Sequence, residues 1–420
     1  MGRRKLVALG FAVVTAFACP VSAQQRTYFV YVASEAADKI TLVRFGPDGT
    51  VVDREIPTGM MPTDIDGPHG LAVSPDKAYY YVSIAHGQPN GSLWKYSTKD
   101  DKLVGRVTLG MFPATLDISP DGDFLFVVNF NLHGDMVPSS VSVVTPEDMT
   151  EIARIPTCTM PHGSRLSADG SRHYSVCMMD EQLVEIDTAT LKVSRHFILT
   201  KGREAGMNGP PMRMPHADHA SAASGHGTEA PTPGDMSCSP TWAQPSKTTA
   251  SVFVACNGSS EIVEVGLRDW TLVRRIPAGA GVYNLGMTRD GRLIATNRRD
   301  QSVSVFDVES GKELARVRTR RRVVHGVAVS PDDRYAFISV EGIAAEPGTV
   351  EVLDLTSLTM VGSVDVGPQA GGIDVLFTTL ASSTRSQRRF TGAPWRSDDG
   401  VGWDVAPVRR RGKTARPRAC

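Results

Sequence analysis

Several common functional signatures are missing from this 420-residue sequence. It has no Cys-x-x-Cys-His step, which excludes c-type haem attachment. It has no glycine-rich phosphate loop and no Gly-x-Ser-x-Gly elbow, so the usual nucleotide-binding and serine-hydrolase motifs are absent. No apolar run reaches the ~18 residues of a membrane helix. It also lacks a basic body. The formal net charge is zero, yet Arg3, Arg4 and Lys5 carry +3, and the nine Arg and one Lys against three Asp from Arg385 onward carry +7. The stretch between them therefore holds about −10. An acid-leaning body argues against a nucleic-acid partner, which would need clustered cations to displace counterions.

The two ends are unlike the middle. MGRRKLVALGFAVVTAFACPVSAQQ has a basic start, a short apolar run and a small-residue Val21-Ser22-Ala23 step. This predicts a signal peptide over 1–23, cut before Gln24, and a periplasmic or secreted protein. Cys19 leaves a lipoprotein as the lesser alternative. Residues 378–420 are rich in Arg, Ser and Pro without periodicity, and are expected to be a disordered tail.

Between the ends the chain repeats itself, and repeats decide a fold before anything else does. HGLAVSPDKAYYYVSI (69–84), ATLDISPDGDFLFVVNF (114–130), HGSRLSADGSRHYSVCM (162–178), NLGMTRDGRLIATNR (284–298) and HGVAVSPDDRYAFISV (325–340) each read as strand, tight turn, strand. Two Val- and Ile-rich alternating strands follow each hairpin, as in SVSVFDVESGKELARVRT (302–319). A more divergent unit starts near Trp242. The spacings between successive first strands (His69 to Ala114, Ala114 to His162, Asn284 to His325, His325 to Gly371) are 45, 48, 41 and 46 residues. Six complete units leave one strand at the end, GGIDVLF (371–377), and three at the start, TYFVYVAS, DKITLVRF and VVDREIPT. The leftovers add up to one unit. The fold class is therefore all-β, a seven-bladed β-propeller over 27–377, closed by pairing the N-terminal strands with a C-terminal inner strand. These repeats resemble the YVTN-type bacterial β-propellers, whose unit reads roughly as SPDG, YV-N, SV-VID and V-G. The resemblance covers about 27–377. It implies the fold, and it leaves function open among binding scaffolds, surface proteins and enzyme platforms.

In such a blade, the loops entering the first strand and those joining the second and third strands share one face. His69, His162 and His325 begin first strands, while His86 and His133 lie in second-to-third-strand loops. The Gly/Pro/Ala-rich insertion 207–238, expected to be flexible, carries His216, His219 and His226. Only His173 and His196 fall elsewhere. Met60, Met61, Met111, Met136, Met160, Met178, Met179, Met207, Met212, Met214 and Met236 follow the same rule. Imidazole and thioether together favour copper, then zinc. The candidate metal ligands are His69, His162, His325, His86, His133, Met160, Met178, His216 and His219. Against that stands a plain reading in which strand-entry histidines cap carbonyls and methionines fill gaps. Cys158 with Cys177, and Cys238 with Cys256, are placed to close two disulfides, each within a blade. The competing reading makes Cys177 and Cys256 copper thiolates. Asp64, Asp66, Asp135, Asp180, Glu181 and Glu341 show no paired spacing and are taken as solvated loop acids.

The sequence thus points to an exported monomeric propeller that binds a ligand, a metal (copper first) or an unidentified periplasmic protein at its His/Met-rich face. One alternative is a periplasmic metal-dependent oxidoreductase resembling propeller reductases and dehydrogenases such as haem-d nitrite reductase, nitrous-oxide reductase and the amine-dehydrogenase large subunit. The other is a lactonase-like hydrolase, which would need carboxylates around a hard divalent ion.

Overall fold

The structure is a computed structural model that describes residues 26–59, 66–86, 90–211 and 238–380. The described residues form seven antiparallel sheets, six of four strands and one of five. The inner strands are Pro68–Val73, Pro113–Ile118, Pro161–Leu166, Pro240–Pro245, Val282–Met287, Val324–Val329 and Ala370–Leu380. Each touches the next, and the seventh touches the first, so the sheets close into a seven-bladed propeller. Blades are numbered 1 to 7 in that order. Blade 7 is completed as the repeat count predicts: Ala370–Leu380 pairs with Arg26–Ser34, followed by Lys39–Gly46 and Gly49–Pro57.

The repeated turn has a clear cause. Ser74 Oγ donates to Asp76 at 2.6 Å and accepts the Tyr79 amide at 2.9 Å. Ser119, Ser167, Thr288 and Ser330 each accept the corresponding amide of their own hairpin. A hydroxyl and a carboxylate thus fold back on the backbone at every such turn, which is why Ser and Asp recur there. Middle strands are buried on both faces because each blade stacks between two others. Tyr28, Val30 and Val32 of blade 7, for example, pack with Phe337, Val350 and Val352 of blade 6. Outer strands alternate instead, as Glu313–Arg318 does.

Two details differ from the sequence reading. Blade 3 gains a fifth strand, Ala205–Asn208, hydrogen-bonded to Lys192–Ile198 at the start of the long insertion. Both disulfides are present, Cys158–Cys177 and Cys238–Cys256. The second lies within blade 4. The first does not stay within one blade: Cys158 belongs to Thr150–Thr159, the outer strand of blade 2, and Cys177 ends Arg172–Cys177 of blade 3. It therefore staples two blades together. With all four sulfurs bonded, the thiolate reading of Cys177 and Cys256 is overturned.

Candidate functional site

The mouth of the propeller is built from one position repeated seven times. Immediately before each inner strand stands a residue with positive φ: Gly67, Phe112, Met160, Ser239, Gly281, Val323 and Gln369, between 43° and 66°. Five are not glycine, and Val323 is β-branched, so the backbone is strained at those five positions by about 1–2 kcal/mol each. Strain of this kind concentrates at binding and catalytic sites. Two residues further on in each blade are His69, Ala114, His162, Thr241, Tyr283, His325 and Gly371. The ring thus holds three imidazoles, a phenol and three small residues, with Tyr283 and His325 on adjacent blades.

Hydroxyls lock this ring from blade to blade. Ser83 donates to the Ala114 carbonyl at 2.6 Å, Thr241 to Tyr283 at 2.7 Å and Thr296 to His325 at 2.9 Å. Between blades 3 and 4 the same role falls to His162, whose Nδ1 donates to the Thr241 carbonyl at 2.8 Å. That bond fixes the tautomer, because a carbonyl only accepts. Nε2 is left to accept from the Tyr283 hydroxyl at 3.3 Å. Both His162 nitrogens therefore have partners. Burial pushes its pKa down to about 4, so it is neutral at pH 7.

The other two imidazoles differ. Glu35 lies in the short helical turn Glu35–Ala37 of blade 7 and reaches two histidines of blade 1. Its Oε2 accepts His69 Nδ1 at 2.6 Å, and its Oε1 contacts His86 Nε2 at 2.9 Å. Burial opposes ionisation of Glu35, but the two imidazoles outweigh it and hold the carboxyl well below the usual range. The hydrogen bond to Glu35 raises the pKa of His86. His69 Nε2 is buried and has no hydrogen-bond partner. His325 is 5% exposed. Burial, then the Arg298 charge, depresses its pKa far below the ordinary imidazole value. Its Nε2 lies 3.8 Å from Glu341 Oε1, and its buried Nδ1 has no partner. The His69 and His325 rings stand 5.7 Å apart and nearly perpendicular. Both line the narrow axial cavity of about 30 Å³, together with Gly371 of the intervening blade. Arg298 stands beside Tyr283 and Glu341. It donates to Glu341 at 3.0 Å and lies over the Tyr283 ring at 4.9 Å. Burial pushes the Tyr283 phenol up to about 12.

The remaining sequence candidates scatter by degree. His86 and the exposed His133 stack at 5.8 Å, and both rings pack edge-on against Phe112, as His69 does. Met111, Met160 and Met178 pack on the Phe112–Phe130 cluster, the gap-filling role open to methionine. His216 and His219, with Met212 and Met214, lie outside the described residues. Of the acids taken as solvated, Asp180 is 1% exposed and accepts the Thr159 amide, Glu181 accepts Thr200 and Ser239, and Glu341 pairs with Arg298. Those three are built into the loops rather than solvated. Sequence reasoning missed Glu35, Phe112, Tyr283 and Arg298. For Tyr283 a signal existed: VYNLGMTRDG aligns with PHGLAVSPDK and puts Tyr283 at the histidine position.

The described residues form a seven-bladed all-β propeller, and that is the class the fold defines. No family model matches the chain, and no curated protein matches it. Among solved structures it is similar to a functionally unknown protein from Desulfotomaculum acetoxidans (TM-score 0.59, 17% identity, covering 83% of this chain and 98% of that one). It is also similar to Kuenenia stuttgartiensis hydrazine synthase (TM-score 0.54, 19% identity, 75% and 91% covered). A third similar structure is the dihydro-heme d1 dehydrogenase NirN in complex with DHE (TM-score 0.53, 15% identity, 82% and 74% covered). At such identities the likeness is one of fold.

Proposed function

We propose that this is an exported YVTN-type propeller that binds a ligand at the histidine-ringed mouth, with copper as the metal the site suits first. The observation that carries the reading is the pair of buried, unpartnered nitrogens, His69 Nε2 and His325 Nδ1, facing one cavity. An unsatisfied buried polar atom costs about 1–3 kcal/mol, and, unlike the enclosed nitrogens of His173, these two belong to residues that line a cavity. Glu35 strengthens the case. A carboxylate holding the far nitrogen of an imidazole fixes its tautomer and raises its basicity, the usual support behind a metal-ligating histidine. Among the described residues no group of three or more His, Cys, Asp or Glu could hold a metal. Two imidazoles alone do not make a tetrahedral zinc site. Imidazole is among the ligands that suit copper, and His69 Nε2 and His325 Nδ1 would be the donors that hold it. Copper there would supply a one-electron centre. The chain's own residues would orient it through Glu35 and exclude water with Phe112. Export is supported by the N-terminal sequence and by the two disulfides, which belong in an oxidising compartment. Among the described residues no helix is long and apolar enough to cross a membrane.

An oxidoreductase is the second reading. It draws on Tyr283, whose hydroxyl donates to His162 Nε2 beside the Arg298 charge, and on the resemblance to a propeller described as a dihydro-heme d1 dehydrogenase. The lactonase-like reading is disfavoured, because Glu35 and Glu341 are already engaged by His69, His86 and Arg298. Copper(I) titration against a chromophoric chelator tests the leading reading. One equivalent is expected to bind, and binding is expected to be lost in His69→Ala and His325→Ala while His173→Phe retains it. Absence of binding, or binding indifferent to both substitutions, overturns it.

A further inference from the structure

A second feature on the mouth face is independent of the histidine ring. Where blades 5 and 6 meet, a cleft of about 500 Å³ is lined by Gln301, Arg320, Arg321, Arg322, Ile343 and Glu346. The three arginines occupy the loop that enters the inner strand of blade 6, and they are held in place. Asp365 takes Arg320 Nη1 on one oxygen at 2.9 Å and Arg321 Nη2 on the other at 3.1 Å. The Arg320 backbone amide donates to both oxygens of Glu351 at 2.9 and 3.0 Å. The loop is tied to the next one by Gly342 N–H to Arg322 O at 3.3 Å and Glu341 N–H to Val323 O at 3.0 Å.

What this leaves unused is cationic. Arg321 Nε is buried and has no hydrogen-bond partner. The exposed Arg322 guanidinium makes no hydrogen bond or ion pair among the described residues. Glu346, the one acid in the lining, turns an oxygen back to the Ile343 amide at 3.2 Å. The three guanidinium groups are matched in formal charge by Asp365, Glu351 and Glu346, yet Arg321 keeps an unpaired Nε and Arg322 its whole guanidinium, so cationic donors stand unused beside others already fixed in position. Guanidinium forks match the paired oxygens of phosphate and carboxylate, and donors held by a second carboxylate lose little freedom on binding. At the rim Ile343 keeps 43% of its surface exposed, next to the charged floor.

We infer that this cleft binds a small doubly charged oxyanion, a phosphate ester or a dicarboxylate, through Arg321 and Arg322, with Ile343 against the apolar part of the ligand. Calorimetric titration of the full chain with inorganic phosphate and, separately, succinate tests this. At least one is expected to bind, about tenfold more weakly in Arg321→Gln and in Arg322→Gln, the loss expected for one charge-assisted hydrogen bond. Binding is also expected to weaken as sodium chloride is added. A response to phosphate alone assigns the ester, a response to succinate alone assigns the dicarboxylate, and a response to both supports the shared oxyanion chemistry. Copper binding and the thermal midpoint are expected to stay unchanged in both variants, which separates this site from the histidine mouth and from misfolding. No binding of either anion, or binding that survives both substitutions at full strength, overturns the inference.

Discussion

Mild acid should destabilise this protein through its buried imidazoles, and His173 gives the cleanest test. His173 is fully buried in blade 3, stacks on Phe126 at 4.9 Å and has no partner for either nitrogen. Burial, and then the Arg165 charge, pushes its pKa down to about 3. The unfolded chain takes up a proton near pH 6.5, and the folded chain refuses it. Stability is therefore full above about 6.5 and is lost as pH falls below it. At pH 5 the deficit is about 1.5 pH units, or about 2 kcal/mol. His162 shifts in the same direction, so the two together should cost about 4 kcal/mol at pH 5, and His325 adds to the loss with the same sign. His86 acts with the opposite sign, because Glu35 raises its pKa, and it recovers part of the loss. Denaturant unfolding at pH 7.5 and pH 5, with disulfides intact, should show His173→Phe losing about 2 kcal/mol less than the parent protein across that interval. An equal loss in both proteins would mean that His173 accepts its proton while folded, and the reasoning would fail.

Other expectations follow from the rim and the staples. Gly371 has no positive φ, and an added Cβ would sit 3.7 Å from His325 Nδ1. Gly371→Ala, whose Cβ makes only ordinary contacts there, should therefore leave the thermal midpoint near the parent's while weakening copper binding by narrowing the cavity, as calorimetry and titration would show. Glu35→Gln should weaken copper binding by about 10–100-fold, measured by chelator competition, since the supporting carboxylate is lost. Val323→Gly should raise stability by about 1 kcal/mol in urea unfolding, because a β-branched residue at φ 65° is relieved. Replacing both Cys158 and Cys177 by Ser should lower stability by about 2–4 kcal/mol, read from the denaturation midpoint.

The blade count was legible because five hairpins share the same hydroxyl–carboxylate clasp, so Ser or Thr and Asp return at a fixed offset and mark the period, whereas the blade 4 turn at Ser246 lacks the carboxylate. The entry histidines were legible for the same reason. Their differing fates were not. His162 is satisfied by Thr241 and Tyr283, which lie 79 and 121 residues away in chain order. His69 is set by Glu35 from the opposite end of the ring closure. No local pattern carries such partners. The methionines were read as ligands from their face alone, but the direction of a thioether depends on which apolar neighbours surround it, here Phe112 and Phe130. For Cys158 the repeat gave the partner correctly. It missed that the outer strand of blade 2 runs on to Thr159 and so carries the cysteine across a blade boundary.

The seventh sheet joins the first described strand, Arg26–Ser34, to the last, Ala370–Leu380. Its inner strand brings Gly371 into the rim beside His325. A chain cut short before that segment would leave an early ribbon without its mate and a pore without its final wall. Completion of the circle and completion of the axial cavity's wall are thus a single event. Any molecule with a closed ring has been translated through at least that segment.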